Sequence, residues 1–214
     1  MKAPLPNAPT DRTRLRRFSE KADYDAATVH AVLDAAPLAH IAYQMNGAPM
    51  VLSTLAWREG DRVFWHGSSA SRALKAMRDQ AVCLSVTTLD GLVLARSAFE
   101  HSVQFRSLMV MGQAQEVTEG KEAHLQAMVE RLFPGRWDQL RPMQPQEVKA
   151  TMVMALDLSE ASAKIAKGGP TDPDEDRAWP VWAGVVPLSL QTGAPLAEPD
   201  SAEGAPAPQV SWSL

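Results

Sequence analysis

The sequence predicts a mainly β chain folded as an antiparallel barrel, and three features of it carry that expectation. Six or so short runs rich in β-branched, aromatic and aliphatic residues follow one another, tight-turn pairs such as Asn46-Gly47 and Asp90-Gly91 separate them, and the helical patterns between them are brief. Strands joined by hairpin turns build antiparallel ladders, whereas a parallel sheet would need a long crossover after nearly every strand.

The first helix is expected over residues 23–36, where Asp25 can cap the N-terminus, Val29, Val32 and Leu33 recur at helical spacing and Pro37 stops it. Strands follow at 40–43, after which Asn46-Gly47 turns the chain, at 49–57, and at 62–65 beyond the turn Glu59-Gly60-Asp61. A serine-rich turn leads to a short helix at 72–79 and a strand at 81–89. Asp90-Gly91 reads as a second hairpin turn into 92–98, a polar loop carries Glu100, His101, Ser102 and Gln104, and one long apolar strand covers 105–117. An amphipathic helix fits 121–132, with Leu125, Met128, Val129 and Leu132 on one face and Pro134-Gly135 as its stop. A short helix at 145–148, a strand at 152–158 and a Gly, Pro and Asp-rich loop at 164–177 complete the body. Residues 1–11 read as a flexible arm, 12–190 as the folded domain and 191–214 as a disordered Pro/Ala-rich tail.

With 214 residues, 45% hydrophobic, 21% charged and a net charge of −4, the chain can bury a sizeable core and has no general affinity for nucleic acid. Residues 11–17 are locally basic all the same. A single cysteine, Cys83, lies in an apolar stretch, which excludes an internal disulfide and fits a buried thiol in a reducing cytoplasm. There is no apolar leader and no window of the roughly 18 apolar residues a membrane span needs, so a soluble cytoplasmic protein is expected.

The chemistry concentrates in Arg62 to Met77, which moves from strand signal to polar turn to helix signal. Ser68, Ser69 and Ser71 offer hydroxyl and N–H donors, and Arg72 with Lys75 opens the helix, a pattern able to hold a phosphate and equally the pattern of a serine-capped surface helix. His66, at the strand end, either hydrogen-bonds a ligand or caps the turn. Arg106 begins an apolar strand, where its charge needs an anion, a carboxylate or a place at the rim. Trp182 can stack on a planar ligand or plug an interface. Neither glycine-rich phosphate loop, G-x-G-x-x-G or G-x-x-x-x-G-K-[ST], occurs, and no G-x-S-x-G elbow. The five histidines lack metal spacing, so no metal site and no catalytic acid or base is assigned.

Taken in order, Pro49-Met50-Val51-Leu52-Ser53-Thr54, Val63 to Arg72, Leu89-Asp90-Gly91-Leu92-Val93-Leu94-Ala95-Arg96-Ser97, Phe105-Arg106-Ser107 with Gly112, and Trp182-Ala183-Gly184-Val185-Val186-Pro187 resemble the flavin-nucleotide-binding split barrels related to pyridoxamine 5′-phosphate oxidase, over about residues 12 to 190. The Leu89 to Ser97 run and the Trp-Ala-Gly-Val ending are most similar to a bacterial branch of flavin-binding proteins. The resemblance implies a six-stranded split barrel, α+β through its short flanking helices, homodimeric, with FMN in clefts between the subunits. It implies that Met50, Val51, Leu52 and Ser53 run beside the flavin ring, that Trp65 and His66 flank the ribityl chain, and that Ser69, Ser71, Arg72 and Lys75 surround the phosphate. Phe105, Arg106 and Ser107 would approach the partner's flavin, and Trp182 would lie near the cofactor. The vitamin B6 oxidases have a basic residue where this chain has Ser53 and Thr54, and their C-terminal arginine motif is not recognisable here.

Three functions follow. The first is an FMN-dependent oxidoreductase acting on an unknown small molecule with an unknown electron donor. The second is a haem-binding or haem-degrading split barrel using His66 or His101 as iron ligand. The third is a non-enzymatic flavin-binding protein.

Overall fold

The computed structural model describes residues 10–36, 38–202 and 204–210. Its strands are β1 (Ala22–Asp23), β2 (Leu38–Met45), β3 (Ala48–Glu59), β4 (Arg62–Ser68), β5 (Ala81–Leu94), β6 (Ser102–Gln113), β7 (Gln115–Val117), β8 (Thr151–Asp157), β9 (Ala161–Ala166) and β10 (Gly184–Pro187). The α-helices are α1 (Ala26–Ala35), α2 (Arg72–Met77), α3 (Lys121–Leu132) and α4 (Pro145–Ala150). Residues 1–9 of the arm expected over 1–11, the expected helix stop Pro37 and residues 211–214 at the end of the tail lie outside the described residues.

Every strand pairing is antiparallel, in the order β1-β9-β6-β5-β2-β3-β4-β8-β7, with β10 added to β5. Since β7 continues β6 after Ala114, the path from β6 through β5, β2, β3, β4 and β8 returns to the strand it left and closes a six-membered barrel. The barrel is split along β3, which pairs with β2 through Leu55 and with β4 from Ala56 onward. The fold is therefore a split barrel, with ten strands among the described residues in place of the six expected.

Local chemistry explains the elements that matched. Asp25 accepts the Ala27 N–H at 3.1 Å and starts α1. Asn46 and Gly47 both take positive φ, 53° and 78°, the backbone that a two-residue hairpin turn demands.

Four expectations are corrected. Asp90-Gly91 is a bulge inside the continuous β5, marked by a register shift between Leu89 and Gly91, and Gly91 does not adopt the positive φ of such a turn. Its missing side chain makes room for β10, because a Cβ there would lie 3.2 Å from the Val186 carbonyl oxygen. Ser102 and Gln104, expected in a loop, are strand residues paired with Val93 and Gly91. The single strand expected at 105–117 breaks at Ala114, where the chain leaves β5 for β8. Lys164, Ile165 and Ala166, expected in a loop, finish β9; its alanine-rich sequence has little β propensity of its own and is held by pairing with β6.

Two apolar clusters share β4 and β8. Val63, Trp65, Met154 and Leu156 point into the barrel with Ile41, Leu84, Val86, Leu108 and Val110, and Val29, Val32 and Leu33 of α1 join that cluster. The alternate residues Phe64, Val153 and Ala155 face outward with Trp57 and are covered by Leu125 of α3. Alternation along the strands lets the same two elements serve both cores. Residues 191–202 and 204–210 carry no helix or strand and are exposed.

Candidate functional site

The turn between β4 and α2 is tightly built. A Cβ on Gly67 would meet Leu74 Cδ1 at 2.7 Å, so β4 passes α2 closely only because that position is glycine. Ser68 Oγ accepts the Ala70 N–H at 3.1 Å, the Ser69 N–H donates to the Ala150 carbonyl at 2.7 Å, and Ser71 Oγ caps α2 by accepting the Leu74 N–H at 3.4 Å. Arg72 and Lys75 project from the same helix, both exposed, and neither has a carboxylate partner among the described residues. Two cations three positions apart on one helix share a face and can act on one anion.

His66 sits just before this turn. Burial holds its imidazole below the usual histidine range, and Nδ1 is buried without a hydrogen-bond partner among the described residues. A neutral ring with an uncommitted nitrogen is equipped to meet a polar ligand. Trp65 is different: it is fully buried in the barrel core, so its indole packs the interior and does not face the turn.

The start of β3 is open. Met50, Val51 and Ser53 are exposed, Val51 by 65%, while Leu52 packs against the barrel core. Ser53 is fixed by the His40 ring, whose Nδ1 lies 2.8 Å from its Oγ. On β6, the Arg106 guanidinium forks onto Asp90 with both contacts at 2.8 Å, which holds the Asp90 carboxyl below the usual aspartate range and raises Arg106. Of the partners open to Arg106 from its sequence, the structure supplies the carboxylate. Phe105 and Ser107 flank it on the strand, half-buried, with the Lys164 ammonium 5.8 Å from the Phe105 ring. Trp182 is 63% exposed and folds its ring over Gly184, where a Cβ would come within 2.9 Å of the indole.

His101, the other histidine nominated from sequence, lines a cavity on the far part of β5 and β6, together with Phe18 and Phe99. These two aromatic residues carry no motif: an isolated Phe in a polar segment looks like any other, and nothing in the sequence places residues 18, 99 and 167 together. Among the described residues, no group of His, Cys, Asp or Glu could by itself hold a metal ion, and no helix is long and apolar enough to cross a membrane.

A family model described as pyridoxamine 5′-phosphate oxidase matches residues 25–165. The chain is similar to the flavocytochrome Anf3 from Azotobacter vinelandii, with 47% identity, 95% of this chain and 96% of that one covered, and a TM-score of 0.90. It is also similar to the FAD- and haem-binding protein from Mycobacterium smegmatis, with 39% identity, 88% and 94% covered, and a TM-score of 0.84. No curated protein matches the chain.

Proposed function

As the chain belongs to the pyridoxamine 5′-phosphate oxidase family, we propose that it is a flavin-binding redox protein that also takes haem. The observation that carries the flavin part is Arg72 and Lys75 at the serine turn, both exposed and without a carboxylate partner among the described residues. In this reading Arg72 grips a phosphate with two of its N–H groups, Lys75 adds a point charge, and Ser69 and Ser71 lie around the same group. Met50 to Ser53 offer backbone amides and a hydroxyl alongside the ring, and His66 Nδ1, which has no hydrogen-bond partner among the described residues, meets the ribityl chain or phosphate. Bound flavin would supply the hydride or electron chemistry and haem iron the one-electron chemistry, while the protein binds and orients them.

The family resemblance pointed to FMN. The 39%-identical neighbour is described as binding FAD, and FAD is the nucleotide we favour here. The serine turn would hold a phosphate of either. Haem enters on the same footing, from the descriptions of both neighbours.

A homodimer belongs to the same proposal. Leu38, Val51 and Leu89 stand exposed on β2, β3 and β5 by 55%, 65% and 50%, and covering them with a second copy would close the open edge over a planar ring. Light scattering of the cofactor-loaded protein should give twice the chain mass; a single-chain mass would remove the shared-cleft arrangement.

The decisive experiment is to purify the protein, record its visible spectrum, release the ligands by heat and identify them by mass. Flavin bands with a Soret band, and FAD in the released fraction, are expected. FMN in its place would return the nucleotide to the family expectation, and a protein that neither retains nor rebinds flavin would overturn the reading.

A further inference from the structure

The outer face of β2, β3 and β5 is nearly free of charge. Along β2, Ala39, Ile41 and Tyr43 are buried in the barrel, so the alternate residues Leu38, His40 and Ala42 point outward and are exposed. On β5, Val82, Leu84 and Val86 are buried, which turns Cys83, Ser85, Thr87 and Leu89 to that same outer face, and β3 adds Val51 and Ser53. Among these residues only His40 and Cys83 can titrate, and burial pushes the Cys83 thiol up, which keeps it neutral. The Arg106 guanidinium is closed on Asp90, and Lys164 lies on β9, two strands beyond β5 in the sheet order. His40 is therefore the group that can bring positive charge to the middle of this face.

Its place is set by pairing across the sheet. His40 is the Cα partner of Ser53 on β3 and of Ser85 on β5, so the ring stands between two serines. It is committed to one of them, with Nδ1 2.8 Å from Ser53 Oγ. Both side chains are exposed, and an exposed hydrogen bond competes with water and adds little to folding. The bond does fix the direction of the hydroxyl. A neutral imidazole can donate or accept at Nδ1, but a protonated one has two donors and no acceptor. In the charged form Nδ1–H must donate to Ser53 Oγ, which leaves the Ser53 hydrogen for an acceptor outside the pair. The charged pair thus presents an O–H donor backed by a cation, a stronger donor than a serine alone.

Ser53 is one of the residues placed alongside the flavin ring, and charge or donors near that ring set how readily it is reduced. We infer that His40, acting through Ser53, is a positioning residue that stabilises the reduced flavin: its imidazolium donates to Ser53 Oγ, and the Ser53 O–H is presented to the ring. His40 in this role rests on the flavin part of the proposed function and adds the group that tunes the cofactor. The electrons come from the reductant. As the ring gains negative charge, His40 holds its proton more tightly, so reduction draws a proton from water onto the imidazole. The potential should therefore fall as pH rises through the histidine range, more steeply than it does without His40.

The test is a dithionite titration of the full-length, flavin-loaded chain against a redox dye, followed by flavin absorbance at several values between about pH 5.5 and 8.5. At the acid end His40→Gln should lower the preference for reduced over oxidised flavin roughly tenfold, about 30 mV for a two-electron couple, and the gap should close toward the alkaline end. Ser53→Ala should lower the potential as well, and adding His40→Gln to it should change little more, because the two side chains act as one unit. Ser53→Thr keeps the hydroxyl and should hold the wild-type profile, a rescue that a purely structural role would not give. If the wild-type chain holds flavin and His40→Gln has the same potential at every pH, His40 has no such role and the flavin reading survives. A fall of equal size at every pH, or a full effect of His40→Gln in the Ser53→Ala background, would also overturn the relay through Ser53. A wild-type chain that neither retains nor rebinds flavin would remove both readings together.

Discussion

Replacing Arg72 with alanine separates a phosphate clamp from an ordinary surface helix. Arg72 is exposed and has no ion-pair partner among the described residues, so its removal should change folding stability by no more than about 0.5 kcal/mol. A charge-assisted contact to a phosphate is worth about 1.5 to 3 kcal/mol. At about 1.4 kcal/mol per factor of ten, flavin nucleotide affinity should fall roughly ten- to a hundredfold. Riboflavin has the same ring and no phosphate, so its affinity should be nearly unchanged. Titration of apoprotein by flavin fluorescence quenching, at one fixed salt concentration, gives both numbers. Salt matters because exposed charges are screened over about 8 to 10 Å near physiological ionic strength, so the contrast between the two ligands should shrink as salt rises. Lys75, three positions along the helix, remains in the single variant, and removing both cations should weaken nucleotide binding further without touching riboflavin. Equal weakening of both ligands would mean that the fold was damaged. No weakening of either would place the phosphate elsewhere and leave α2 as a serine-capped surface helix.

Three further outcomes follow from the geometry. Gly67→Ala puts a Cβ 2.7 Å from Leu74 Cδ1, and because Leu74 is only 2% exposed it has little room to yield, so stability should drop by about 1 to 3 kcal/mol in chemical denaturation; an unchanged midpoint would show that the β4–α2 turn has slack. Burial holds folded-state His66 below its ordinary value, so the unfolded chain takes up the proton first: stability present above about pH 6.5 should diminish as pH falls through the folded-state value, and His66→Gln should flatten that slope in urea unfolding measured at several pH values. Asp172 is held below the aspartate range chiefly by the Arg96 backbone N–H and then by its side chain, so the contribution of this pair is complete above about pH 3.9 and is lost as pH falls through the depressed value; at neutral pH Asp172→Asn should expose Lys167 to faster tryptic cleavage, and an unaltered digestion rate would show that other contacts hold the segment.

Much of this protein was legible in one dimension because the signals are local. Asp25 announces the start of α1, Asn46-Gly47 a hairpin, and Leu125 with Leu132 the buried face of α3, since a cap, a turn and a helical stripe each depend on residues a few positions apart. The family motifs were legible for the same reason, and they fixed the fold class that the barrel then displayed. What the sequence could not decide depended on residues brought together from afar. Asp90-Gly91 has the composition of a turn, yet Arg106 across the ladder and β10 from near the C-terminus make it a bulge in a continuous strand. The stretch Ala161–Ala166 has weak strand propensity and becomes a strand because β6 and β1 offer it partners. Alternation hid the direction of Trp65, which a motif places beside His66 and the pleat turns into the core. The cavity at His101 is the fullest case: Phe18, the Phe99–His101 segment and Lys167 lie more than 60 positions apart from one another in the sequence, and only the closing of β1, β6 and β9 around one another makes them neighbours.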